Sequence, residues 1–226
     1  MKRFLVLSCS VAISALFFHA CSFSDDSMID APLTRADAVS EKIVFQDDFN
    51  QADSIPDRNK WSLCKKGSPA WSKYLSESYD QAYVHDGKLV LVAEKVNGVY
   101  KTGGVQSLGK AEFQYGKIEI CARFTKTAKG GWPAIWMMPA KPVYSGWPAC
   151  GEIDIMEQLN HDGIVYQTIH SHYKNDLGFT KPVPTKTVSY NKGQFNIFGI
   201  EWTPEALTFK VNGATTLVYP NLHLAD

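Results

Sequence analysis

The sequence lacks an excess of charge of either sign. Its 226 residues contain 23 basic and 23 acidic side chains, so the formal net charge is zero. Proteins that are drawn to nucleic acid or to an anionic membrane surface by their overall field need a basic excess. The balance therefore argues against both classes of partner and favours a neutral or weakly charged one.

Cysteine is also scarce. Of five cysteines, Cys9 and Cys21 lie in the N-terminal segment considered below, which leaves Cys64, Cys121 and Cys150. An odd number cannot form a complete disulfide framework, and no two of the three have the CxxC spacing of a cysteine-rich zinc site. We interpret them as mostly buried, small apolar residues.

From about residue 41 onward the chain has no long helical period, no internal repeat and no low-complexity tract. Short β-rich runs alternate there with turn residues, and Asp86-Gly87 and Asn212-Gly213 are signals for tight hairpins. Many short strands, 16 glycines and little helix predict one all-β domain, a sandwich or a barrel. The clearest predicted strands lie within 84–93, 115–124, 163–172, 195–202 and 207–211.

The apolar run at residues 4–18 is too short to span a bilayer comfortably. Lys2 and Arg3 precede it, as in a secretion signal. Ala20-Cys21 closes it and resembles a bacterial lipobox, in which the cysteine carries the lipid. We therefore predict a signal peptide over 1–20, a lipidated tether over 21–40 and a folded domain over 41–226. The alternative is an ordinary signal peptide followed by an incidental cysteine.

The predicted tether is polar and contains Asp25, Asp26 and Asp30. A similar acidic stretch after the lipidated cysteine marks the surface-exported lipoproteins of some gut bacteria. The resemblance implies an extracytoplasmic protein that is anchored by lipid to the bacterial outer membrane, at the cell surface.

Three carboxylic acids lie close together in the segment WPACGEIDIMEQLN, residues 147–160. Because side chains alternate on a strand, Glu152 and Asp154 are expected on one face and the intervening isoleucines in the core. Glu157 breaks this alternation by one position. A β-bulge at Ile155-Met156 would return it to the acidic face.

Such a row of carboxyl groups must raise at least one pKa, which is costly unless the groups perform chemistry. Retaining glycoside hydrolysis needs a carboxylate nucleophile and a carboxylic acid about 5–5.5 Å apart. We predict Glu152 as nucleophile, Glu157 as acid and base, and Asp154 as a hydrogen-bonding support for the nucleophile. The alternative is a solvated acidic face, or an edge strand protected by charge.

The motif EIDIME and the preceding GGWPAIWMMP resemble glycoside hydrolase family 16, in its bulged, laminarinase-like branch. The resemblance covers most of 43–202 and includes FQDDFN (45–50) and TIHS (168–171). In that family the first Glu of the motif is the nucleophile, the Asp assists and the last Glu is the acid/base. The resemblance thus implies a jelly-roll β-sandwich of the concanavalin A-like class and a retaining double displacement without a cofactor.

Family members also have strands that follow the point where this sequence stops, and one of them contributes to a structural calcium site on the face away from the cleft. The resemblance therefore implies a jelly roll that lacks its C-terminal strands here. A structural calcium site would lack the ligands that one of these strands provides, which argues against calcium binding.

Sugar recognition requires flat apolar faces that stack on pyranose rings. Trp132, Trp136 and Trp147 are the candidates, although Trp136 could instead belong to the core because it lies in an apolar run. By resemblance, His170 and Asn50 contact the substrate near the cleaved bond.

A metal site could be imagined from His170 and His172, expected on one strand face, with His161 nearby. We predict none, because a carboxylate mechanism needs no metal and no third ligand has convincing spacing.

These features predict a monomeric endo-glycosidase that hydrolyses internal β-linkages of a polysaccharide, with a laminarin-type β-1,3-glucan as first choice. The segment 158–173 favours an alternative, an endo-β-galactosidase of mucin-type or poly-N-acetyllactosamine glycans. A third possibility is a glycan-binding lipoprotein without hydrolytic activity, but this would predict the loss of a catalytic carboxyl group.

Overall fold

The computed structural model describes residues 4–10, 42–144 and 146–223. Within these ranges the regular structure is strand, apart from the four-residue helix α1 (His172–Asn175). The predicted all-β class is confirmed. The strands are β1 (Phe4–Ser10), β2 (Ser62–Leu63), β3 (Ala82–Val84), β4 (Leu89–Val96), β5 (Val99–Thr102), β6 (Val105–Gln106), β7 (Gly116–Phe124), β8 (Ala134–Met137), β9 (Glu152–Glu157), β10 (Ile164–His170), β11 (Thr185–Ser189), β12 (Asn196–Trp202), β13 (Ala206–Val211) and β14 (Ala214–Pro220).

Two antiparallel sheets form the body of the molecule. The larger has eight strands in the order β14-β13-β12-β7-β1-β4-β3, with β5 paired to β4. The smaller has four strands in the order β11-β10-β9-β8, and the short strands β2 and β6 form a separate pair. Strand β9 therefore lies inside the smaller sheet, with a neighbour on each side.

The main hydrophobic core lies between the two sheets. Phe198 and Phe209 from the larger sheet are 0% exposed, and Ile155, Met156 and Val165 from the smaller sheet are at most 1% exposed. Full burial of one such side chain contributes about 1.5–3 kcal/mol. The inward face of β9 is thus fixed by packing, which orients the opposite face of the strand toward solvent.

Both predicted hairpin turns are present. Asp86 and Gly87 have φ values of 52° and 65° between β3 and β4, and Asn212 and Gly213 have φ values of 50° and 81° between β13 and β14. Two successive residues with positive φ match the right-handed twist of the flanking strands, and Asn-Gly and Asp-Gly adopt this conformation most readily.

Strand β1 belongs to the predicted signal peptide. It pairs with β4 on one side (Phe4 opposite Ala93) and with β7 on the other (Val6 opposite Phe124). The assignment of 1–20 to a signal peptide stays a prediction. Cys21 and the tether over 21–40 lie outside the described residues, and the described part of the chain contains no helix with the length and apolarity needed to cross a membrane.

The three remaining cysteines, Cys64, Cys121 and Cys150, are free and partly buried. Burial raises the pKa of the Cys64 thiol to about 11, so this group stays protonated and unreactive at neutral pH. None of the three is fully enclosed, and their role in packing stays a prediction.

Candidate active site

The predicted bulge in β9 is present. Glu157 lies opposite Tyr166 of β10, and Asp154 lies opposite Thr168, so three steps along β9 match two steps along β10. On the other side, Ile135 and Trp136 of β8 lie opposite Met156 and Asp154, which makes Ile155 the additional residue. The extra residue shifts the alternation of side chains by one position, as is needed for Glu157 to return to the face of Glu152 and Asp154.

Gln167 stabilises the bulge from beneath. It is 0% exposed, its Nε2 donates a hydrogen bond to the Ile155 carbonyl oxygen at 3.2 Å, and the Thr216 hydroxyl of β14 donates to its Oε1 at 2.5 Å. The amide therefore connects the bulged strand to the facing sheet. Gln167 was not predicted; the available signal was a polar side chain between Val165 and Ile169, on the apolar face of the predicted strand.

Glu157 lies at the C-terminal end of β9 and accepts a hydrogen bond from the indole nitrogen of Trp132 at 2.6 Å. Burial, followed by the charge of Asp154, raises the pKa of Glu157 to about 7. A carboxyl group with this pKa is protonated in a large fraction of molecules at neutral pH, which is the property of a general acid.

Glu152 lies at the N-terminal end of β9 and accepts a hydrogen bond from the indole nitrogen of Trp147 at 2.5 Å. Burial and the Asp154 charge raise the pKa of Glu152 too, while the Trp147 indole lowers it because a donor stabilises the carboxylate. Each glutamate thus has its own tryptophan donor, and both respond to the same central aspartate.

Asp154 is only 2% exposed and lies between them. The Nε2 atom of His170 is 3.2 Å from Asp154 Oδ2, and the bond to Asp154 raises the pKa of His170 while burial opposes the increase. The amide nitrogen of Asn175 lies 3.1 Å from His170 Nδ1. Since an amide nitrogen only donates, Nδ1 accepts, and Nε2 faces Asp154 at ion-pair distance. The histidine is therefore oriented at both nitrogens.

The three predicted tryptophans all lie outside the core. Trp132 and Trp147 are 50% and 56% exposed. Trp136 is partly exposed and makes an edge-to-face contact with Trp71, with ring centroids 5.0 Å apart. Trp136 is not among the residues of the main core, and the contact of the three tryptophans with sugar stays a prediction. Trp71 was not predicted, although it shares with Trp132 and Trp147 a loop setting that contains glycine and proline.

The structure places Asn50 beside the β3–β4 turn, where a Cβ on Gly87 would lie 3.8 Å from Asn50 Oδ1. Its contact with substrate stays a prediction.

The expectation that His170 and His172 share a strand face is wrong. Strand β10 ends at His170, while His172 begins α1 and pairs with Asp176 at 2.7 Å. The Nδ1 atom of His161 lies 3.1 Å from the hydroxyl of Thr127. Across residues 42–144 and 146–223, no three His, Cys, Asp or Glu side chains are arranged to hold a metal ion.

The pattern of one known family, glycosyl hydrolases family 16, matches residues 71–224, about two thirds of the chain. The chain belongs to glycosyl hydrolases family 16. The matched region includes β9, its two tryptophan donors and His170, whereas Asn50 precedes it. The predicted family is confirmed.

Several family 16 proteins are similar over most of this chain. The keratan-sulfate endo-1,4-beta-galactosidase of Sphingobacterium multivorum is 36% identical over 186 residues, which are 79% of this chain and 43% of that protein. The chain therefore spans less than half the length of this relative. The beta-glucanase of Rhodothermus marinus is 31% identical over 196 residues, or 82% of this chain and 68% of the relative.

Solved structures show the same architecture. The laminarinase of Rhodothermus marinus matches with a TM-score of 0.70 and 30% identity, covering 80% of this chain and 75% of the other. An endo-acting O-glycanase that initiates mucin breakdown, from the human gut microbiota, matches with a TM-score of 0.71 and 36% identity, covering 81% and 77%. The jelly-roll β-sandwich predicted from the sequence is confirmed.

Proposed function

We propose that this chain is a retaining endo-glycosidase that hydrolyses internal β-linkages of a glycan. One observation carries the proposal: Glu152 and Glu157 flank the bulge of one strand, each bound to a tryptophan indole, and the pKa of Glu157 is raised to about 7. This is the pairing of a nucleophile with a protonated acid that retention requires.

In the first step, a carboxylate oxygen of Glu152 attacks the anomeric carbon. The new carbon–oxygen bond forms as the glycosidic bond breaks, and Glu157 transfers its proton to the departing oxygen. Glu157 is then a carboxylate. The Trp147 donor keeps Glu152 in position before the attack, and the Trp132 donor stabilises the charge that Glu157 acquires.

In the second step, Glu157 accepts a proton from water while the water oxygen attacks the same carbon. The bond to Glu152 breaks, the carboxylate is restored, and two inversions give net retention. Proton transfer and substitution by two carboxyl groups account for both steps, so the proposed mechanism draws on no cofactor.

Asp154 and His170 act as positioning residues in this scheme. The buried charge of Asp154 raises the pKa of both glutamates, and the oriented ring of His170 binds that aspartate. The exposed Trp132 and Trp147 and the partly exposed Trp136 supply stacking surfaces for sugar rings.

Two substrate classes have support. A β-1,3-glucan is the first candidate, because laminarinases share the fold at 30% identity. An internal β-galactosidic linkage is the second, because the keratan-sulfate enzyme and the mucin O-glycanase reach 36% identity.

The test is a product screen of the purified protein on laminarin, mixed-linkage glucan, agar-type galactan and mucin oligosaccharides. We expect oligosaccharides from the interior of one class of chain, and NMR of fresh product should show the β-anomer. Release of the inverted anomer would exclude the assigned roles of both glutamates, and no cleavage of any glycan would favour a binding protein.

We also propose that Cys21 is lipidated and anchors the domain to the outer membrane at the cell surface. A fatty-acid analogue fed to the cells should label the protein, and Cys21→Ala should abolish the label. Protease added to intact cells should degrade the domain. Labelling of the variant would overturn the lipid assignment, and protection from protease would overturn the surface location.

A further inference from the structure

A cavity that none of the catalytic carboxyl groups lines takes no part in the proposed chemistry. Its volume is about 300 Å³, at the lower end of the range of small-molecule sites. We call it the lysine pocket, and its lining is formed by Lys66, Lys73, Tyr74, Leu75, Tyr100 and Lys101, together with Ser76 and Val99.

The walls of the lysine pocket are joined by backbone hydrogen bonds. The amide of Ser76 donates to the Thr102 carbonyl at 3.0 Å, and the amide of Thr102 donates to the Tyr74 carbonyl at 2.8 Å. Leu75, buried at 7% exposure, pairs with Thr102 as an isolated bridge. The pocket is therefore a fixed feature of the fold, formed where a loop meets β5.

The charge of this region differs from that of the whole chain. Segments 65–77 and 94–101 contain five lysines against two glutamates, an excess of three positive charges in a chain that is neutral overall. One glutamate, Glu77, is already used: it pairs with Lys65 at 2.9 Å and accepts the Lys66 amide at 2.9 Å. The other, Glu94, accepts a hydrogen bond from Gln81 at 2.9 Å.

Within the described part of the chain, Lys66, Lys73 and Lys101 form no ion pair, although Lys101 lies opposite Glu94 in the sheet and the charge of Lys66 acts on Glu77. Their ammonium groups can therefore still bind a ligand. Lysine binds sulfate esters and carboxylates as a point charge with three donors.

The aromatic side chains of the pocket suit a sugar. Tyr74 and Tyr100 are 41% and 56% exposed, and their rings meet edge to face with centroids 5.6 Å apart. The Lys73 ammonium lies 4.9 Å from the centroid of Tyr74, so charge and aromatic surface adjoin. A site with stacking faces beside ammonium groups matches a pyranose that bears an anionic substituent.

The lysine pocket is also close in the chain to a residue that contacts the catalytic sheet. Trp71 contacts Trp136, and Trp136 lies opposite Asp154 in the sheet. Tyr74 follows Trp71 by three residues, so their Cα atoms are at most about 10 Å apart. The intervening chain is fixed by the Lys73 amide, which donates to the Pro69 carbonyl at 3.0 Å. The loop that lines the pocket therefore lies next to the tryptophan that contacts the catalytic sheet.

We propose that the lysine pocket binds an anionic group on the glycan, a sulfate ester or a sugar carboxylate, a few sugar units from the cleaved bond. This inference rests on the proposed glycosidase function and narrows it to acidic glycans, because an unsubstituted β-1,3-glucan would leave the lysines without a partner. Between the two substrate classes, it favours the one that carries sulfate or sialic acid.

The experiment compares matched substrates that share one backbone: poly-N-acetyllactosamine oligosaccharides in neutral, sulfated and sialylated forms, and laminarin with its sulfated derivative. We expect the wild-type enzyme to prefer an anionic form over its neutral counterpart. The sulfated and sialylated arms identify which anion fits.

The variant is Lys66→Ala/Lys73→Ala, with Lys42→Ala, an exposed lysine outside the pocket, as the matched control. The double variant should lower kcat/KM on the anionic form about ten-fold, through KM, because charge-assisted hydrogen bonds are lost. Activity on the neutral form should stay unchanged. Lys66→Arg/Lys73→Arg should restore the preference, and added salt should weaken it.

Equal kcat/KM on neutral and anionic forms, or a parallel loss on both in the double variant, would overturn the assignment of the pocket while leaving the glycosidase intact. If no substrate is cleaved, calorimetric titration with the sulfated oligosaccharide tests anion binding by the pocket independently of glycoside hydrolysis. Binding that the double variant loses supports the pocket without the hydrolase, whereas equal binding by both proteins, or by neither, rejects it.

Discussion

The two ends of β9 carry the same residue type in surroundings that are similar but not equal. Glu152 and Glu157 each accept a hydrogen bond from an indole nitrogen, and burial and Asp154 raise the pKa of both. For Glu157, beyond the bulge, the increase brings the pKa to about 7. Nucleophile and acid are therefore set by their surroundings rather than by their chemical nature.

The largest effect is expected at the nucleophile end. Glu152→Ala should lower kcat by about 10⁴-fold or more on every substrate, whatever the leaving group, because no covalent intermediate can form. Azide should restore turnover of an aryl glycoside by direct attack, with a product of inverted configuration visible by NMR. Substantial activity on natural glycan without azide would show that Glu152 is not the nucleophile.

A smaller and more selective effect is expected at the acid end. Glu157→Ala should lower kcat on natural glycan by about 10²–10⁴-fold, because the departing oxygen receives no proton. Glycosylation by an activated aryl glycoside should continue, since its leaving group needs no proton, and azide should then give a product of retained configuration. Equal losses on both substrates would contradict the division of labour.

Because each glutamate has its own tryptophan donor, the pKa values of Glu157 and Glu152 can be shifted separately. Activity requires protonated Glu157, so kcat/KM should fall as the pH rises through about 7. Trp132→Phe removes a donor that lowers the pKa of Glu157, so the alkaline limb should move to higher pH.

By the same reasoning, Trp147→Phe raises the pKa of Glu152, which must be ionised, and so moves the acidic limb to higher pH. Each variant should lower kcat/KM at the optimum by less than about ten-fold. The pH–rate profiles of the two variants serve as controls for each other, and displacement of the same limb in both would contradict the pairing.

The smallest effect concerns stability. The pKa of Glu157 is raised in the folded state from 4.5 to about 7. Its contribution to the free energy of unfolding is therefore complete below pH 4.5 and is lost as the pH rises through 7. Glu157→Gln should therefore be more stable than wild type at pH 8 by on the order of 1 kcal/mol, after discounting for solvent screening of a half-buried group.

In thermal melts this corresponds to a gain of about 2–4 °C in Tm at pH 8 and none at pH 4. Glu112→Gln, at an exposed position, is the matched control and should show no such pH dependence. A gain that is the same at both pH values would mean that the charge of Glu157 is not its source.

Several features were predicted correctly from patterns within a single strand or turn. Alternation and the misplaced Glu157 predicted the bulge, and Asp-Gly and Asn-Gly predicted the two hairpins. The family motif predicted the sandwich and the order of the carboxyl groups. The prediction that His170 and His172 share a strand face was wrong because the alternation was extended past the end of the strand. Strand β10 ends at His170, two residues before His172.

What the sequence by itself determined was the class of fold, the identity of the carboxyl groups and their order, because these follow from periodicity and residue chemistry along one segment. The tertiary structure alone decided which groups meet across the chain: Trp71 with Trp136, Gln167 with the bulge, and the loop around Lys73 with β5. Such contacts join residues far apart in the sequence, and they depend on the register and packing of the two sheets, which no local pattern records.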